Sequence, residues 1–96
     1  MPETSDRLAT AALNGQALPF SHGVLIHAMH GWHVALYQVP TYACPAVRDD
    51  GQVVVETIAG HRLVGHATTK FVTQGGGYVL LSGSGRLRMK VPPRAA

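Results

Sequence analysis

The amino-acid sequence predicts a mainly β fold: a small, single-domain antiparallel β structure with one short N-terminal helix. Three observations carry this expectation. Turn signals recur about every 8–14 residues, the spacing of short antiparallel strands. The chain holds eleven glycines and only 14% charged residues, which suits strands and tight turns and argues against a helical bundle. Residues 24–39 alternate between two faces, and Gln52 to Ile58 is a β-branched run. Ninety-six residues make one domain, 1–96. A domain of this size buries roughly 60% of its unfolded surface, so it needs a metal, a partner chain or good packing. Its one cysteine, Cys44, cannot form an internal disulfide.

The elements follow in order. Thr4 or Ser5 can cap a helix over about residues 5–14, with Leu8, Ala11 and Ala12 as its apolar stripe and Asn14-Gly15 as its stop. Residues 24–39 read as strand with both faces apolar, as in a strand covered on both sides. Sixteen residues is long for one strand, so a break is expected near His30-Gly31. Pro40 to Gly51 is a loop. Gln52 to Ile58 runs out, and His61 to Thr73 runs back with an irregularity at Gly65. Gly75-Gly76-Gly77 leads into a strand rather than a helix, so it reads as a hairpin turn and not a phosphate cradle. Tyr78 to Ser82 and Arg86 to Val91 are two strands joined by a Gly83-Ser84-Gly85 turn, and 92–96 is a tail.

The histidines concentrate early. Four of the six fall within residues 22–33. A zinc site needs three or four donors around one ion at about 2 Å. His27 and His33 are six positions apart, roughly 20 Å along a strand, and His30 points the other way. The cluster is therefore no ligand set by itself. Its completions would be Cys44, His61 and His66, and the plain alternative is strand histidines bonded to main chain. Cys44 as a nucleophile would need a histidine to lower its pKa. The carboxylates are few and none has motif spacing to a histidine, so an enzyme is the last-ranked reading.

The net charge is +3 and the pI about 9.5, which permits an acidic partner. Arg86, Arg88 and Lys90 alternate with Leu87, Met89 and Val91, placing three cations on one face of the last strand. A solvated or edge-protecting basic face is the default for such a pattern. An acidic protein is the sharper alternative. Nucleic acid is disfavoured, since only Tyr78 is a nearby aromatic. No apolar run is long enough to span a membrane, and the N-terminus has no secretory pattern. A cytoplasmic site of synthesis is expected.

Several pieces resemble the repeats of the PAAR family. These are His22-Gly23-Val24, Cys44-Pro45, Ile58 to His66, and Gly75-Gly76-Gly77-Tyr78-Val79-Leu80-Leu81-Ser82 running into Gly83-Ser84-Gly85. The family's Pro-Ala-Ala-Arg stretch is His61-Arg62-Leu63-Val64 here, and its Gly-Asp is Gly65-His66. The resemblance implies a small β-rich tip protein on the trimeric spike of contractile injection or phage-tail-like particles, exported as part of the particle. It also implies a bound zinc, with iron the other candidate, held by His22, Cys44 and either His66 or His61. A homo-oligomer would be compatible with it. The alternative expectation is a small β-barrel or sandwich that binds an acidic partner through Arg86, Arg88 and Lys90.

Overall fold

The structure, a computed structural model, describes residues 4–28, 31–73 and 77–90, with Thr4 and Lys90 described by backbone alone. His30, residues 74–76 and the 92–96 tail, each part of a reading above, lie outside the described residues. Among the described residues seven strands form: β1 (Thr4–Leu13), β2 (Gln16–Ala17), β3 (His22–Ala28), β4 (Gly31–Val39), β5 (Asp50–Thr57), β6 (Arg62–Val72) and β7 (Gly77–Lys90). A short 3-10 turn at Thr41–Ala43 is the one helical piece among the described residues.

All pairings are antiparallel. The order β1-β3-β4-β7-β6-β5 closes on itself through β1–β5, making a six-stranded barrel with β2 added beside β1. Closure leaves few open edges, which suits a small β chain. Two three-strand meanders, β1-β3-β4 and β5-β6-β7, are joined by the segment 40–49, which crosses the upper end of the barrel. Leu13, His22, Val39, Asp50 and Gly77 mark that upper end. Leu25, Val34, Leu36, Val53, Val55, Val79 and Leu81 are fully buried in the interior. They come from four strands, β3, β4, β5 and β7, and follow the period-2 alternation that the sequence shows.

The expected N-terminal helix is not formed; residues 4–13 are β1. The Leu8/Ala11/Ala12 stripe is too thin to hold a helix by packing, whereas β1 gains pairing on both sides. Arg7 stands opposite Val24 on β3, and Leu13 stands opposite Val53 on β5. A bulge between Leu8 and Thr10 lets Leu8, Ala11 and Leu13 all face inward. Asn14-Gly15 ends a strand, not a helix. With φ of 52° and 82°, the pair makes the tight hairpin turn that Asn-Gly favours. The Asn14 side chain then clamps β5: its Nδ2 donates to the Asp50 carbonyl at 3.1 Å, and the Gln52 N–H donates to its Oδ1 at 3.0 Å.

The expected turn at Gly83-Ser84-Gly85 is likewise absent, and residues 77–90 are one strand. The glycines serve packing instead. Trp32 points inward from β4, and its ring lies against Gly83 and Gly65, where a Cβ would run into it. The expected irregularity at Gly65 is present and is where β7 bulges. Val64 pairs with Arg88 and His66 with Ser84, so Gly65 alone faces residues 85–87. Gly85 takes a φ of 73° there, and the Trp32 Nε1–H donates to its carbonyl at 3.2 Å.

Two substitutions test this packing. Gly83→Ala should overpack the site and lower stability by about 1–3 kcal/mol. Trp32→Phe should lose the hydrogen bond to Gly85, about 1 kcal/mol, besides some packing. Urea unfolding followed by circular dichroism reads both. A Gly83→Ala protein as stable as the parent would remove this role for Trp32.

Candidate functional site: an acid-free wall with an aromatic row and a basic concavity

Charge is distributed unevenly around the barrel. The described acidic side chains are Asp6 on β1, Asp49 in the crossover, and Asp50 and Glu56 on β5. The four neighbouring strands β3, β4, β7 and β6 carry no Asp or Glu at all. They carry His22, His27, His33, Arg62, His66, Lys70, Arg86, Arg88 and Lys90. About two-thirds of the barrel wall thus carries donors and cations but no carboxylate of its own; acidic side chains reach it only from the bordering strands, as Asp6 does at His27 and Asp50 at His66.

At the upper end of this wall, four rings stand in a row across four strands. His22 on β3 is opposite Tyr37 on β4, with ring centroids 5.5 Å apart. Tyr37 reaches Tyr78 on β7 at 5.1 Å. Tyr78 reaches Phe71 on β6 at 5.9 Å. The rings are tilted by 35° to 53° to one another, the offset arrangement that aromatic quadrupoles prefer. They point outward because their strand neighbours Gly23, Leu36 and Val79 point in. Tyr37 is 41% and Phe71 49% exposed. Beneath the row lie Val24, Ala35 and Leu80, paired across β3, β4 and β7.

Lower on the same wall, the β7 bulge shapes a concavity of about 590 Å³. Gln52, Val64, His66, Ser84, Arg86 and Arg88 line it. Both arginines are exposed. His66 Nε2 lies 3.3 Å from Asp50 Oδ2 on the neighbouring strand, and no carboxylate is among the residues that line the concavity. The β4 partners of β7 end at Ser82. Beyond the bulge at 85–87, residues 88–90 therefore pair only with β6 and present a free edge on the other side, among the described residues. Arg86, Arg88 and Lys90, the basic set expected from the sequence, fall in this part of β7. Arg86 and Arg88 are the part of the set whose side chains are described; that of Lys90 lies outside the described residues.

The four residues considered for metal do not meet. His22 heads β3 at the upper end. Cys44 lies half-buried in the crossover, with its Sγ donating to the Pro40 carbonyl at 3.4 Å. His61 is exposed in the turn between β5 and β6 at the lower end, held by its N–H to Thr57 Oγ1 at 3.1 Å. His66 is mid-strand on β6, separated from β3 by β4 and β7. Among the described residues no three His, Cys, Asp or Glu side chains come together as a metal site. Compared with known proteins, the chain matches no family model, no curated protein and no solved structure.

Sequence reasoning found Arg86, Arg88 and His66 but not that they border one concavity. It missed Tyr37 and Phe71 as neighbours of Tyr78. The alternation of each strand shows that these residues face outward together, but the row appears only once the order β3-β4-β7-β6 and its registers are known.

Burial, and secondarily the neighbouring Tyr37, push the Tyr78 phenol above its ordinary value. The folded value lies above the unfolded one, so the associated stabilisation is present below pH about 10. It is lost as pH rises through the folded value. In an alkaline titration followed by tyrosinate absorbance, Tyr78→Phe should remove a transition lying above the ordinary tyrosine value. If the transition it removes lies at the ordinary value, burial does not hold this phenol up.

Proposed function

We propose that the protein is a binding module that takes an anionic partner on its acid-free wall, with Arg86 and Arg88 as anchors beside the concavity. The observation that carries this reading is the segregation of charge: every described carboxylate lies on β1, β5 or the crossover, while four adjacent strands carry none. A mildly basic chain with mixed charge would attract anions weakly from all sides. Segregation concentrates the field on one side and orients the encounter. The bulge adds relief to that side, with Gln52 and Ser84 as neutral donors and His66 as a further one. Lys90 belongs to the same strand and extends the basic series by sequence. The geometry offers no assembled nucleophile–base pair around Cys44 and no shared ligand set for the spike-tip reading, so neither draws support from the described residues.

Exposed ion pairs are individually worth about 0–1 kcal/mol, so the wall acts through several contacts and its binding should fall with salt. Heparin serves as a polyanion probe. Arg86→Glu/Arg88→Glu should elute from heparin at clearly lower salt than the parent. The same charge change at Arg7 and Arg48, outside the acid-free wall, should shift elution much less. Equal shifts for the two double variants would mean that net charge alone governs binding and would overturn the reading.

A further inference from the structure

We propose that the row His22-Tyr37-Tyr78-Phe71 is a base-stacking platform and that the anionic partner is a single-stranded nucleic acid. This rests on the anion-binding reading above and adds the chemistry of the partner. An anion needs only the cations. It gives no reason for four rings in a row on the same acid-free face, two of them about half exposed to water. A nucleic acid strand uses both. Its phosphates meet Lys and Arg, and every base offers a π-face to an aromatic ring whatever its identity.

The layout suits a strand crossing the wall. The rings span four adjacent strands, with neighbouring centroids 5.1 to 5.9 Å apart. Val24 and Leu80 form an apolar floor next to them. Lys70, exposed, directly precedes Phe71. From Tyr78 the outer face of β7 continues through Leu80, Ser82 and Ser84 to Arg86 and Arg88. That is eight residues to Arg86, at most roughly 26 Å of strand, a reach of several nucleotides and within the site sizes of small barrel binders. No carboxylate interrupts this path on β6 or β7. Duplex bases keep their faces stacked on one another, so the rings select for an unpaired strand.

The test uses the whole chain and fluorescence anisotropy with labelled oligo(dT) and oligo(U) of about a dozen nucleotides, and a mixed-sequence duplex of equal length. Both single strands should bind, and the duplex at least about tenfold more weakly. Tyr37→Ala and Phe71→Ala, both at exposed positions, should each weaken single-strand binding about tenfold without changing its salt dependence. Tyr37→Phe should bind as the parent does, which separates ring stacking from a hydroxyl contact. Arg86→Gln/Arg88→Gln should lower the slope of log affinity against log salt by about two. Circular dichroism and melting temperature show that each variant is folded. Duplex binding as tight as single-strand binding, or alanine variants equal to the parent, would overturn the inference. If the alanine variants are neutral while the arginine variants lose binding and polyglutamate competes fully, an acidic protein takes the place of nucleic acid and only the anion-binding reading stands. If the arginine variants are also neutral, both readings fall.

Discussion

The position of Trp32 against Gly83 and Gly65 is the contact on which the shape of the functional wall depends. An indole ring buried in a small barrel needs space that its neighbours must give up, and here two glycines on adjacent strands give it. Its N–H needs an acceptor once buried. The Gly85 carbonyl supplies one, on the strand that has to bulge to pass the ring. Core packing and surface form are thus one event. The bulge that accommodates Trp32 inside is the bulge that hollows the outside between His66 and Arg88. A six-stranded barrel without that ring would have no reason to carry three residues of β7 opposite one of β6.

The distribution of charge adds a second constraint. The described strand carboxylates lie on β1 and β5, the two strands whose pairing closes the barrel, and β3, β4, β7 and β6 are left with donors, cations and rings. The two histidine–carboxylate contacts follow this division. His27 meets Asp6 at 3.2 Å where β3 borders β1, and His66 meets Asp50 where β6 borders β5. Both lie at the boundaries between the acidic and acid-free sectors. Away from those boundaries, Arg86 and Arg88 are exposed to solvent on a strand with no carboxylate, which leaves them open to a ligand.

Much of the fold was legible in the sequence because strand alternation is a local property. The alternation of residues 24–39, the β-branched run of β5, the break between β3 and β4, and the irregularity at Gly65 were each written into a few consecutive residues. Two errors share one cause. Residues 4–13 have a composition that is neutral between helix and strand, and only partners far along the chain, Val24 and Val53 to Thr57, decide for strand. Gly83 and Gly85 look like turn residues until Trp32, some fifty positions earlier, is placed against them. The candidate site was legible in parts. The alternation of Arg86 and Arg88 was plain, but the neighbours of Tyr78 were hidden. Rings from four strands become a row only through cross-strand register, which no single strand encodes.

The seam formed by β1 also bears on how the chain comes to fold. Leu8 pairs with Thr57 and Leu13 with Val53, so β1 finds its closing partner only some forty residues further along the chain. The β3–β4 and β6–β7 hairpins are local and can form early. Closure must wait for both meanders and bears the entropy of a long loop before any contact repays it. Such a topology places the protein among the slower small folders, governed by distant pairings rather than nearby ones. Asn14, gripping both Asp50 and Gln52 from the tip of the first hairpin, is then the latch that holds the two halves once they have met.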